Sequence, residues 1–181
     1  MDYISNIPIE PFPDIKNVNP YDEIVPNLHL GGIKSLDNYN YKYRKNTLYF
    51  HMIVNLIKQV HLSDDTIPQC DIYVTLPIHD SSDECEKLLT LINETNVLER
   101  MHDEIIKNNP VLVHCFAGMQ RSCALVACYL IKYYNMKPND AIDFIKQKRP
   151  IAFFGQVNFM DMILEFYKQQ LLGKAAPKAA F

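Results

Sequence analysis

Val111-Leu112-Val113-His114-Cys115-Phe116-Ala117-Gly118-Met119-Gln120-Arg121-Ser122-Cys123-Ala124-Leu125-Val126-Ala127-Cys128-Tyr129-Leu130-Ile131 is the stretch that decides the fold. Three β-formers in a row predict a short, fully buried strand. The run from Ser122 to Tyr134 is apolar almost all round, which places a helix in the middle of a domain. Between them lies a short loop with Gly118 near its centre, a residue that tolerates backbone conformations others resist. Strand, tight loop and buried helix together form an anion-binding layout. Loop N–H groups can converge on one point, and the helix N-terminus adds positive potential there.

Working outward, Glu23 to Leu30 reads as a short strand pair entering a Gly31-Gly32 turn. His51 to Ile57 reads as a buried strand, and so does Asp71 to Ile78, which ends at His79-Asp80. From Cys85 to Lys107 the apolar residues Leu88, Leu91, Ile92, Leu98, Met101 and Ile105 have helical spacing, with a break near Asn96. Pro138 opens a further helix to about Lys148. A last helix is expected from about Val157 to Leu171. Strands alternating with helices, followed by a helical C-terminal half, predict an α/β fold with a central, mostly parallel sheet flanked by helices. The expected domain is residues 22–172. Residues 1–21 carry Pro8, Pro11, Pro13 and Pro20 and read as an extended N-terminal arm, one that could pair two copies as a homodimer. Residues 173–181 read as a flexible tail.

Composition narrows the function. The chain has 181 residues, a formal net charge of −3, and no run near the roughly 20 apolar residues of a membrane span. A strongly basic nucleic-acid or membrane binder is disfavoured. A local group at Lys42, Arg44 and Lys45 reads as a solvated loop. Five cysteines, an odd number, with no secretory leader at Met1-Asp2-Tyr3-Ile4-Ser5, predict reduced thiols and an intracellular, cytoplasmic setting. No Cys/His group has zinc spacing, so neither metal nor cofactor is expected. Cys123 and Cys128 read as core.

The chemistry concentrates at Cys115 and Arg121. Loop amides, helix dipole and guanidinium all favour a thiolate at Cys115, and the guanidinium can hold two phosphoryl oxygens. This suits attack of Cys115 on phosphorus to give a phosphocysteine. Ser122 can donate to the sulfur and help it leave in the second step.

His114-Cys115-x-x-Gly118-x-x-Arg121-Ser122 resembles the signature loop of the protein tyrosine phosphatase superfamily, in its dual-specificity branch. Ile24 to Gly32 is similar to that family's opening strand pair. Leu76-Pro77-Ile78-His79-Asp80 is similar to the segment carrying its general acid. Ala124 to Leu130 resembles its central helix, and Lys148-Arg149-Pro150 the end of a later one. The resemblance implies that Asp80 protonates the leaving oxygen and later activates water. Asp83 is the rival on the same loop. It also implies that His114, Phe116, Ala117, Gly118, Met119 and Gln120 form the substrate-binding loop, with His114 orienting it by hydrogen bonding.

The chain departs from the family's Pro-Asn pair, having Phe153-Phe154-Gly155-Gln156-Val157-Asn158 there. Gln156 or Asn158 could position water, and Phe153 and Phe154 could wall the pocket or lie in the core. Because none of Phe116, Ala117, Met119 and Gln120 is basic, the expected substrate is a protein carrying phosphotyrosine or phosphoserine/phosphothreonine. RNA 5′-phosphates and phosphoinositides are the alternatives. A non-catalytic phosphoprotein-binding module and a sulfur transferase are two more. The segments Ala117 to Ser122 and Ala152 to Phe159 also resemble phosphatases of large DNA viruses; a viral gene would put the protein in host cytoplasm or virion.

Overall fold

The structure is a computed structural model, and it describes residues 18–37, 48–58 and 69–175. Most of the expected N-terminal arm, the Lys42/Arg44/Lys45 group and the end of the tail lie outside the described residues.

Five strands form one sheet: β1 (Tyr21–Val25), β2 (Leu28–Gly31), β3 (Met52–Ile57), β4 (Ile72–Ile78) and β5 (Val111–His114). Their order across the sheet is β1-β2-β5-β3-β4. β1 and β2 are antiparallel, joined at Pro26-Asn27, where Asn27 takes φ 66°. The other pairings, β2 with β5, β5 with β3 and β3 with β4, are parallel. The mostly parallel sheet is therefore as expected, with β1 as an antiparallel edge.

The strand alternation assigns the faces. Leu28, Leu30, Met52, Val54, Leu56, Val74, Leu76, Ile78, Val111 and Val113 enter the main core, together with the helices. Ile53 and Leu112 point the other way, into a small cluster with Phe50, Tyr21, Leu36 and Tyr73. That second face carries the short helix α1 (Lys34–Asp37), whose Ser35 hydroxyl donates to the Gly32 carbonyl.

The main face is covered by α2 (Cys85–Thr95), α3 (Val97–Ile106), α4 (Arg121–Tyr134), α5 (Pro138–Lys148) and α6 (Met160–Ala175). The break at Asn96 is real: this residue takes φ 49°, the left-handed region that asparagine tolerates better than most side chains. Every residue of α4 from Arg121 to Ile131 is buried, which explains the absence of a polar stripe in its sequence.

Two helix limits differ from the sequence reading. Residues 157–159 precede α6, because the Asn158 N–H is bonded to the Gln120 side chain and not to a helical carbonyl. At the other end α6 continues through Gly173 to Ala175. A glycine in an exposed last turn costs only about 1 kcal/mol, too little to end a helix that already packs along its length.

Candidate active site

In parallel α/β sheets ligands bind beyond the carboxyl ends of the strands. Here β5 ends at His114, β3 at Ile57 and β4 at Ile78, so their exits deliver Cys115, Lys58 and His79-Asp80 to one edge. A cleft of about 350 Å³ opens there, lined by Ile57, Lys58, Ile78, His79, Asp80, Phe116 and Arg121.

Cys115 lies at the base of the loop, fully buried. Its Sγ accepts the Gly118 N–H at 3.3 Å and the Ser122 hydroxyl at 3.2 Å. Gly118 has φ +68°, and a Cβ on it would sit 2.5 Å from the carbonyl carbon of Gly31. No other residue fits that position without moving β2.

The loop's amides are aimed by what holds its carbonyls. A trans peptide points its C=O and N–H in opposite directions, so fixing one outward turns the other inward. The Phe116 carbonyl accepts from Ile33 N–H at 2.9 Å, and the Met119 carbonyl from Phe153 N–H at 2.7 Å. Between them, Arg149 donates to Ala117 O at 3.5 Å from Nη2 and to Gly118 O at 2.8 Å from Nε. The four successive carbonyls from Phe116 to Met119 are thereby held away from the site. The N–H groups of Ala117, Met119 and Gln120 find no backbone acceptor among the described residues. Successive amides left free in this way can bind an anion.

Arg149 is itself 1% exposed, and its charge is balanced by Asp22 on β1, at 2.6 Å. The sequence marked this residue only as the end of a helix. Its structural role required knowing that α5 ends beneath the loop and that β1 brings a carboxylate there.

Arg121, at the start of α4, donates from Nη1 to the Ile78 carbonyl at 3.1 Å and lies 3.6 Å from the Asp80 carboxylate. Its buried Nε has no partner. The guanidinium is thus fixed at the cleft wall with donor capacity left for phosphoryl oxygens. Asp80 lines the cleft; Asp83 does not, and its N–H donates to the capping Ser81 Oγ in a 3₁₀ turn over Ser82–Glu84. Glu84 pairs with Lys87, which holds its carboxyl below the usual range.

The remaining loop residues divide. Phe116 is 64% exposed and stands between the cleft and a neighbouring apolar groove that also touches Ala117 and Met119. Gln120 is buried and turned away from the cleft, with Nε2 donating to the carbonyls of Gln156 and Phe154 at 2.7 and 3.4 Å. Phe153 is fully buried core, at φ 53°. His114 lines neither cleft nor groove. It is 1% exposed, and among the described residues its ring nitrogens have no hydrogen-bond partner beyond a contact with the Cys115 backbone. Burial, only slightly opposed by the Cys115 backbone, pushes its pKa down to about 4 and keeps the ring neutral. Position 114 shares a sheet face with Leu112, so its side chain is on the opposite side from Cys115, which belongs to the main core.

Lys58 was missed by the sequence reading. The available signal was its place directly after a parallel strand, the same place Asp80 occupies on the neighbouring one. The other four thiols are free as well. Burial raises the pKa of Cys123 and Cys128 strongly, leaving them protonated core residues.

A family model described as "Dual specificity phosphatase, catalytic domain" matches residues 35–169. The chain belongs to the dual specificity phosphatase family. Among relatives of this family, human "Dual specificity protein phosphatase 16" is 28% identical over 172 residues, covering 94% of this chain and 24% of its own length. The chain therefore spans about a quarter of that protein. "Putative tyrosine phosphatase 123R" of Invertebrate iridescent virus 6 is 32% identical over 153 residues, 80% of this chain and 89% of the viral protein. The crystal structure of human DUSP28 matches with a TM-score of 0.68 at 21% identity, covering 84% of this chain and 96% of that one. At that identity the match supports the dual specificity phosphatase fold. No helix among the described residues is long and apolar enough to cross a membrane.

Proposed function

We propose that the chain is a protein phosphatase that hydrolyses phosphotyrosine and phosphoserine/phosphothreonine through a phosphocysteine on Cys115, its catalytic unit being residues 22–172. The observation carrying this reading is the Cys115 sulfur held by Gly118 N–H and Ser122 Oγ, in a loop whose Arg121 pairs with the Asp80 carboxylate.

In the first step the phosphoryl oxygens sit on the loop amides and Arg121. The Cys115 thiolate attacks phosphorus, the S–P bond forms and the P–O bond to the substrate breaks. Asp80 gives its proton to the departing oxygen. In the second step water attacks phosphorus and gives a proton to the Asp80 carboxylate. The S–P bond breaks, phosphate leaves, and the Ser122 hydroxyl steadies the returning thiolate. Every residue ends as it began, and no metal takes part in either step.

A protein substrate is favoured by the rim. The variable loop positions are uncharged, Phe116 offers an exposed ring, and Lys58 supplies one cation, which suits a single phosphate on a peptide. The proposed partners are phosphoproteins of the cytoplasm. Assay on phosphotyrosine and phosphothreonine peptides, a phosphoinositide and a 5′-triphosphorylated RNA tests this. Turnover of the lipid or RNA with none of either peptide would overturn the substrate class. Wild-type protein that binds phosphopeptides without hydrolysing them would favour a binding module.

A further inference from the structure

Asp80 sits on a loop, 37% exposed, yet its two carboxylate oxygens face different partners. Oδ2 lies 3.6 Å from Arg121 Nη2, on the cleft side. Oδ1 accepts from Asn158 Nδ2 at 3.4 Å. Asn158 in turn is held through its backbone at both ends. Its N–H donates to Gln120 Oε1 at 3.1 Å, and its carbonyl accepts the Cys85 thiol at 3.7 Å. Gln120 is part of the anion-binding loop, 5% exposed, and its amide nitrogen fastens the Gln156 carbonyl at 2.7 Å. A chain of contacts therefore runs from the loop, through Gln120 and Asn158, to the carboxyl group.

We infer that Asn158, anchored by Gln120, is the positioning residue that selects which oxygen of Asp80 carries the transferred proton. The inference rests on the reading of Asp80 as general acid. Accepting an amide N–H lowers the basicity of Oδ1, so the proton favours Oδ2 once Arg121 has turned away from it. When Arg121 turns to the phosphoryl oxygens, Oδ2 is left facing the ester oxygen that must be protonated. Without Asn158 the carboxyl group rotates freely and presents the proton in the wrong direction for part of the time. One ordinary hydrogen bond, about 1 kcal/mol, converts to a rate effect of about fivefold to tenfold. The anchoring role explains why the loop carries a buried amide, Gln120, at a position that does not line the cleft.

The test is a leaving-group series: nitrophenyl phosphate, phenyl phosphate and a phosphoserine peptide, in single turnover. Nitrophenolate leaves with little help, whereas the serine alkoxide needs a proton. Asn158→Ala is expected to lower the rate on phosphoserine peptide about tenfold and on nitrophenyl phosphate much less, with KM hardly changed. Gln120→Ala should give the same pattern, and Asn158→Gln should restore part of it. Equal losses on all three substrates would show a merely structural role and overturn the inference. Asp80→Asn separates the two readings. If it steepens the leaving-group dependence while Asn158→Ala does not, only the positioning role falls. If Asp80→Asn leaves the dependence flat, Asp80 is not the acid and both fall.

Discussion

Arg149 Nε donates to the Gly118 carbonyl at 2.8 Å, on the far side of the loop from the sulfur that the Gly118 N–H faces. A buried cation beneath the loop thus decides which way the loop's amides point. The charge proposed to bind phosphate, on Arg121, and the charge that holds the loop, on Arg149, are separate.

Replacing Arg149 by methionine keeps most of its volume and removes every one of these bonds. It also strands the half-buried Asp22 carboxylate. A loss of about 3–5 kcal/mol of stability is expected, as when one member of a buried ion pair is deleted. Urea unfolding checks this. Arg149→Met with Asp22→Asn should recover part of the stability but not the activity, because the Ala117 and Gly118 carbonyls remain unheld.

Gly118→Ala places a methyl group 2.5 Å from a backbone atom of β2, at φ +68°. The left-handed backbone alone costs roughly 1–2 kcal/mol, and the clash adds to it. Loss of phosphate or vanadate binding with a lowered melting temperature is the expected result.

His114 makes stability depend on pH. In the unfolded chain it protonates near 6.5, and in the folded protein only near 4. Between those values the unfolded state binds the extra proton, so stability is fully present above pH 6.5 and is lost as pH falls toward 4. The whole effect is roughly 3 kcal/mol. His114→Asn should flatten the fall in urea midpoint between pH 7 and pH 5 relative to wild type, and leave the stability above pH 7 less affected.

Much of this was legible in the sequence because local signals and tertiary demands agree. A strand, a glycine loop and an apolar helix in succession leave little choice, and Asn96 announces its own helix break. The burial of His114 away from the cleft was not legible, because only the sheet register says which face position 114 takes. The roles of Arg149 and Gln120 were not legible. Each depends on segments far apart in the chain, Asp22 with Arg149 and Gln120 with Asn158. The start of α6 was missed for the same reason, since the Gln120 side chain holds the Asn158 N–H outside the helix.

The proposed preference for a protein substrate can be tested at Phe116. Its carbonyl holds the loop, but its ring stands 64% exposed at the rim. Phe116→Ala should change stability by no more than about 0.5 kcal/mol. It should raise KM severalfold for phosphopeptides while kcat and the KM for a small aryl phosphate change little. Steady-state kinetics on both substrates checks this.

In the proposed reaction Cys115 carries the phosphoryl group. Acid quench of the enzyme during turnover of a phosphopeptide, followed by mass spectrometry of the digested protein, tests it directly. One added phosphoryl group is expected on the peptide containing Cys115, with neither adduct nor turnover in Cys115→Ser. Sustained hydrolysis by Cys115→Ser, or an adduct on another residue, would contradict it.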